Sequence, residues 1–208
     1  MDALPHDHPQ YSGLIGSYGN RYSNLILANC DLLLILGSRL DSRQTGTRPD
    51  TFGRGADKIH VDIDPNELNC KVGVSLAIHS RLDIFFLERM NTSLTGYIKP
   101  DITAWLAYIT RLKAQYPTYS FTPQADEIEP NRFMSLLSSR AEQFHAICLD
   151  VGQHQMWASQ SFRLSANQRL LNSGGMGGYG LRLACCHRCL SGLRRRDACD
   201  CRRRGVPA

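Results

Sequence analysis

The stretch DLLLILG, residues Asp31–Gly37, decides the fold class of this chain. Five consecutive apolar residues without alternation are typical of a parallel strand that is covered on both faces. We predict the next strand at Lys58–Ile63 and a third strand at Leu76–Ile78.

The predicted helices alternate with these strands. A short helix ends within Asn24–Asn29, and a second helix spans Leu82–Met90. A third, amphipathic helix is indicated by the helical spacing of Ile102, Trp105, Leu106, Ile109 and Leu112. Strands that alternate with helices predict an α/β fold with a parallel, Rossmann-like sheet.

A second unit is predicted after a proline-rich linker at Tyr116–Pro130. Asn131 is expected to cap a helix. Ala146–Leu149 reads as a strand, and Asp150–Gln153 as the turn at its carboxyl end. Because ligands of open α/β sheets bind at the carboxyl ends of strands, this turn is a candidate ligand site.

The string DVGQHQMW, residues Asp150–Trp157, is the most specific motif in the chain. Backbone N–H groups at such a strand-to-helix turn suit a diphosphate. His154 can donate to a phosphate oxygen or position a substrate group. The alternative is an ordinary helix start with His154 at the surface.

A second glycine-rich stretch follows at Ser173–Gly180, where Gly175, Gly177 and Gly180 match the spacing G-x-G-x-x-G. The match is weak evidence for nucleotide binding, because no strand is predicted before it. An ordinary flexible loop is the alternative.

Charged residues also follow the first two strands. Arg39, Asp41 and Arg43 come after the apolar run, and Asp62 ends the second strand. A carboxylate at a strand end can bind ribose hydroxyls, and arginines can bind phosphates. A structural turn with surface ion pairs explains these residues equally well.

Composition limits the class of protein. The chain has 208 residues, of which 42% are hydrophobic, enough for one large domain or two small ones. No apolar run approaches the roughly 18 residues of a membrane helix. The N-terminus lacks the basic start and apolar centre of a signal peptide, so we expect a cytoplasmic protein with reduced thiols.

The motifs together resemble thiamine diphosphate-dependent enzymes of the acetolactate synthase type over about residues 2–177. The landmarks of the resemblance are Gly13–Asn24, Leu32–Gly46, Phe52, Ile59–Pro65, Asp150–Trp157 and Asn172–Gly177. It implies a central α/β domain at residues 1–115 without its first strand, and a linker at 116–130. The incomplete start of a second α/β domain, which binds thiamine diphosphate, would occupy residues 131–178.

The resemblance also implies cofactors and roles. Val151, Gly152, Gln153 and His154 would lie against the diphosphate, and Gly177 near the aminopyrimidine. In flavin-containing members, Arg39, Asp41, Arg43 and Asp62 would lie near FAD. The parent activity would be a Mg²⁺-dependent carboligase or decarboxylase, a transferase or lyase acting on a 2-oxo acid such as pyruvate. The parent would be a homo-dimer or tetramer.

Two absences predict that the isolated chain is inactive. The domain that supplies the activating Glu in this family is missing, so no catalytic residue is assigned. The Asp and Asn with which relatives hold Mg²⁺ after residue 178 are absent too, so no metal ligand is assigned. Past residue 178 the sequence departs from the family, beginning with Tyr179 in place of a methionine. One DNA string can encode both these residues and, with its first base dropped, the family's residues, so 179–208 is expected to be a frameshifted, disordered tail.

The tail leaves other functions open. Residues 1–181 carry a net charge of −1, whereas residues 182–208 carry +6. The cysteines of this tail are Cys185, Cys186, Cys189, Cys199 and Cys201. Together with His187 they could form a zinc site, although their spacing fits no common zinc finger. The arginine clusters could bind nucleic acid, although they lack the aromatic residues typical of such binding. Besides an enzyme fragment, we consider a nucleotide- or FAD-binding module and an interaction protein with a basic tail.

Overall fold

A computed structural model describes residues 3–90, 100–119 and 128–172. These residues form two compact units, one at 12–119 and one that combines 3–11 with 128–172. Gly177, the tail at 179–208 and most of the predicted linker lie outside the described residues. Among the helices described, none is long and apolar enough to cross a membrane.

The unit at 12–119 contains a three-stranded parallel sheet with the order β1-β2-β3. The strands are β1 (Leu32–Leu36), β2 (Asp57–Asp62) and β3 (Leu76–His79). Leu34 pairs with Ile59 in the centre of the sheet. The predicted parallel α/β fold is therefore confirmed, with β2 shifted by one residue from its predicted bounds.

Helices connect and cover these strands. They are α1 (Arg21–Asn29), α2 (Ser42–Thr45), α3 (Leu82–Ile84) and α4 (Thr103–Gln115). The predicted helix at Leu82–Met90 is α-helical only over α3 and continues as a π-helix at Phe85–Met90. Short 3₁₀ turns lie at Pro49–Thr51 and Pro65–Glu67.

One face of this sheet carries the core of the unit. The buried members are Ile35, Leu40, Phe52 and Val72. The opposite face is covered only in part, because Leu32 is 56% exposed and Leu34 is 39% exposed. The prediction that β1 is covered on both faces is therefore wrong at its amino-terminal half. The described helices leave these two leucines open to solvent.

The second unit has its own parallel pair of strands, β4 (Ala146–Leu149) and β5 (Arg169–Asn172). They are accompanied by α5 (Pro130–Arg140) and α6 (Gln153–Ser161). The predicted cap of α5 was wrong: Glu129, not Asn131, is the N-cap, and its carboxylate accepts from the N–H of Asn131. Pro130 at the first helical position fixes this start.

A separate apolar core supports this pair of strands. Its buried members are Ala141, Leu149, Ala158, Phe162 and Leu164. α6 thus packs through its Ala158 face, while its first residues remain at the carboxyl edge of β4. The core therefore fixes the position of the helix start that carries the Asp150–Trp157 motif.

Candidate functional site

The connection between β4 and α6 is only three residues long, Asp150–Gly152. The Asp150 carboxylate accepts a hydrogen bond of 2.9 Å from the N–H of Val151. Gly152 is the N-cap of α6, and no side chain caps the helix. The first N–H groups of α6 thus have no side-chain acceptor, and the partial positive charge at this end favours an anion.

His154 lies directly against the backbone of Gly152. A Cβ atom added to Gly152 would come within 2.9 Å of the His154 Nδ1 atom. The side chain of any other residue at 152 would therefore displace the imidazole ring. The structure brings four predicted residues, Val151, Gly152, Gln153 and His154, into one turn.

The end of β5 lies beside this turn. Leu149, the last residue of β4, pairs with Asn172, the last residue of β5. A strand, β5, therefore ends directly before Ser173, contrary to the expectation that none precedes the glycine-rich stretch. Gly177 itself lies outside the described residues. β4 and β5 therefore end at the same edge of one sheet, which is where ligands of parallel sheets bind.

No metal centre accompanies these motifs in the part of the chain that is described. Within 3–90, 100–119 and 128–172, no three His, Cys, Asp or Glu side chains come together as potential ligands. The cysteines of the candidate zinc site at the C-terminus lie outside these ranges. The turn at 150–154 can thus offer hydrogen bonds and an imidazole, without a cluster of potential metal ligands among the described residues.

The loop after β1 is held by bonds within the protein. The Asp41 carboxylate caps α2, accepting from the N–H of Arg43 at 2.9 Å. The Arg39 guanidinium donates to Glu67 at 3.1 Å, and Lys71 donates to the same carboxylate at 2.6 Å. The hydrogen bond from Lys71, followed by that from Arg39, lowers the pKa of Glu67. Arg39 and Asp41 therefore have structural partners already.

Asp62 lies at the same carboxyl edge as this loop. It is 6% exposed, and its Oδ1 atom accepts from the N–H of Asp64 at 2.9 Å. Its neighbour His60 is fully buried and binds the Ser38 carbonyl oxygen through Nε2 at 3.0 Å. The Nδ1 atom of His60 has no hydrogen-bond partner. The contact of His60 with the Ser38 carbonyl, which supports the 38–43 loop, was not predicted from the sequence.

A cavity of about 320 Å³ lies next to that loop. Its lining includes Gly16, Ser17, Asn24, Gln44, Thr45 and Phe52. Arg39, Asp41, Arg43 and Asp62 do not line it. The four residues predicted for FAD thus lie at one end of the sheet, but they do not form the walls of this cavity.

Asn24 and Gly16 shape the cavity in a way that spacing alone did not reveal. The Asn24 amide clamps Gly16, accepting from its N–H at 2.8 Å and donating to its carbonyl at 2.9 Å. Gly16 has φ +100°, and a Cβ atom there would overlap the carbonyl oxygen of Arg43. Only glycine allows this close approach of two backbone segments.

Comparisons with known proteins agree on one family. A profile described as "Thiamine pyrophosphate enzyme, central domain" matches residues 1–89. The chain is 37% identical over 178 residues to the acetolactate synthase large subunit of Cyanidium caldarium, covering 84% of this chain and 30% of that protein. It is 31% identical over 183 residues to the large subunit of acetolactate synthase isozyme 2 from Escherichia coli (strain K12), covering 87% of this chain and 32% of that protein.

A third relative is also an acetolactate synthase. The chain is 32% identical over 185 residues to the chloroplastic acetolactate synthase 2 of Nicotiana tabacum, covering 88% of this chain and 28% of that protein. The chain therefore spans about a third of the length of the curated relatives it matches.

Proposed function

Because this chain belongs to the thiamine pyrophosphate enzyme family, whose central-domain profile matches residues 1–89, we propose that its Asp150–His154 turn binds the diphosphate of thiamine diphosphate. The observation that carries the proposal is the uncapped start of α6, which lies beside the end of β5.

The residues of the turn fit a diphosphate. The N–H groups of the first turn of α6 have no side-chain acceptor, and phosphate groups bind such helix starts. Gly152 lets the ligand approach the backbone closely, because it has no side chain. The His154 imidazole stands over Gly152 and can donate a further hydrogen bond to a phosphate oxygen.

The chemistry follows from the family rather than from this turn alone. Thiamine diphosphate supplies the electron sink for 2-oxo acid decarboxylation and carboligation, and the protein supplies orientation and electrostatics. We propose Mg²⁺ as the accompanying cation and a 2-oxo acid such as pyruvate as the substrate of the parent enzyme, a homo-oligomer. Residues 150–154 would hold and orient the diphosphate.

A polypeptide of these 208 residues is proposed to bind the cofactor without turning over pyruvate. It spans only about a third of the length of its relatives, and no described residue is assigned to catalysis or to Mg²⁺. Purified protein incubated with pyruvate, thiamine diphosphate and Mg²⁺ should form no acetolactate and release no CO₂. Sustained formation of either product would contradict this part of the proposal.

Calorimetric titration tests the binding itself. Thiamine diphosphate should bind more tightly than thiamine, because the turn recognises the diphosphate. His154→Ala removes one hydrogen bond to a charged group and should weaken binding by about tenfold or more. His79→Ala, an exposed histidine of the other unit, is the matched control and should change nothing. Equal affinity for thiamine and its diphosphate would refute the proposal.

Flavin binding by the central domain is a second proposal, favoured by the cavity beside the 38–43 loop. Arg43 is exposed, and no described carboxylate pairs with it, so it is a cation that an FAD phosphate could reach from the 38–43 loop. FAD fluorescence should be quenched on binding, and Arg43→Ala should reduce the affinity. Arg39→Ala is the control, because that arginine already pairs with Glu67. Unchanged FAD fluorescence with wild-type protein would refute flavin binding.

A further inference from the structure

Gln155 is a buried side chain near the start of α6, and its carboxamide forms no hydrogen bond within the described part of the chain. The residue is 5% exposed, and neither Nε2 nor Oε1 has a partner there. Among the described residues, the fully enclosed polar atom without a partner is Nδ1 of His60, so the amide atoms of Gln155 retain contact with solvent. Buried polar side chains are paired as a rule, and an exception calls for an explanation.

The other buried polar side chains in the described part of this unit are all paired. They are Ser138, Ser159, Ser161 and Gln168. Gln168 has the same side chain as Gln155 and makes three hydrogen bonds with it. The two glutamines differ in position, because Gln168 joins two segments of the protein whereas Gln155 lies at the start of a helix.

Gln155 is the third residue of α6, counted from the N-cap Gly152. A glutamine at this position of a capping box reaches back to the N–H of the N-cap residue. That bond is not made here, since the Gly152 N–H donates to no described residue. Helix side chains lean towards the amino-terminus, so the carboxamide lies at the same end of α6 as its first N–H groups.

The face of α6 that carries Gln155 also packs on the sheet. Ala158 is 1% exposed and shares a core cluster with Leu149 of β4, and Leu170 of β5 packs against that cluster. Gln155 precedes Ala158 by about one turn on this face. It therefore lies closer to the helix start, which follows the carboxyl end of β4 after three residues. Ligands of parallel sheets bind at that edge.

We propose that Gln155 is a further ligand-binding residue of the Asp150–His154 turn and that its Nε2 group donates a hydrogen bond to a phosphate oxygen of the diphosphate. This role rests on the proposed function of that turn. A carboxamide nitrogen offers two N–H donors, and phosphate oxygens are acceptors. The side chain adds its donors to the N–H groups at the helix start, where an anion is favoured.

A residue that binds a ligand, and does not support the fold, should be dispensable for stability. Gln155→Met keeps the length of the side chain and breaks no hydrogen bond within the described part of the chain. The midpoint of its urea unfolding should equal or exceed that of wild-type protein, whereas Gln168→Met loses three bonds and should fall below it. A midpoint for Gln155→Met as low as that of Gln168→Met would indicate a structural role and overturn the proposal.

Calorimetric titration of the purified 208-residue chain measures the effect on binding. Gln155→Met should weaken the binding of thiamine diphosphate by about tenfold and leave that of thiamine unchanged, because only the diphosphate receives the bond. Gln155→Glu puts a carboxylate oxygen in place of the donor and should weaken binding further. Gln143→Met, at an exposed glutamine of the same unit, is the matched control and should bind like wild-type protein. Wild-type affinity in Gln155→Met would overturn the proposal.

The side-chain amide resonances of Gln155 give a direct readout, and their loss from the spectrum of Gln155→Met identifies them. They should shift when thiamine diphosphate or inorganic pyrophosphate is added and stay in place with thiamine. If wild-type protein binds neither phosphate compound, this proposal falls together with the proposed function of the turn. If the backbone amides of residues 152–154 shift while the Gln155 side-chain resonances do not, only the role of Gln155 is overturned.

Discussion

Gln168 holds together the two segments that lead into β4 and β5, and its removal should destabilise the second unit. The side chain is buried, with 3% exposure. Its Nε2 group donates to the carbonyls of Ala141 at 2.8 Å and Phe144 at 3.0 Å, and its Oε1 atom accepts from Ser165 N–H at 3.1 Å. Gln168→Met keeps the length of the side chain and removes all three hydrogen bonds.

The expected loss follows from these bonds. Each contributes about 1 kcal/mol net, and a buried group left unpaired costs about 1–3 kcal/mol. The Ala141 carbonyl keeps a second donor, the Phe144 N–H, so it is not orphaned. We therefore expect a loss of about 3 kcal/mol in the free energy of unfolding, or about two orders of magnitude in the equilibrium constant.

Urea unfolding followed by Trp157 fluorescence measures this loss. Trp157 lies in the second unit, and a Trp105→Phe background removes the other tryptophan. Gln143→Met is the matched control, because Gln143 lies in the same connection, is exposed and should change the stability little. A loss below about 1 kcal/mol for Gln168→Met would refute the reasoning from hydrogen bonds.

Three further outcomes are expected. Gly16→Ala should destabilise the first unit by about 2 kcal/mol or more in urea unfolding, because φ is +100° and a Cβ has no room. Hydrogen bonds from Arg81 lower the pKa of Asp83 from 3.8 to about 2. The contribution of this ion pair to the stability of the fold is therefore complete above pH 3.8 and is lost as the pH falls through about 2. The substitution Arg81→Gln should return the Asp83 pKa towards 3.8, which an NMR titration would measure. Iodoacetamide should alkylate exposed Cys70 before Cys30, whose pKa is raised by burial.

The regular elements could be predicted where the sequence carries a strong local period. β1 and α4 appear where the apolar run and the helical spacing indicated them. β5 was missed, because Arg169–Asn172 contains only two apolar residues and its stability comes from pairing with β4. Pairing between segments that are distant in the chain leaves no local pattern to detect.

The details of the candidate sites depended on similar long-range contacts. The Asp150–Trp157 string identified a strand-to-helix turn, which the structure contains between β4 and α6. In contrast, Arg39 is engaged by Glu67, and His60 supports the Ser38 carbonyl, across segments far apart in sequence. Spacing can place such residues at a strand end, but it cannot tell whether a protein partner already occupies them.

The central claim is that the start of α6 receives the diphosphate of thiamine diphosphate. The most direct measurement is the change in backbone amide resonances when the cofactor and Mg²⁺ are added to isotope-labelled protein. The account predicts that the amides of Gly152, Gln153 and His154 shift with thiamine diphosphate and remain in place with thiamine. Resonances of this turn that stay unchanged at saturating cofactor, or shifts confined to the 38–43 loop, would contradict it.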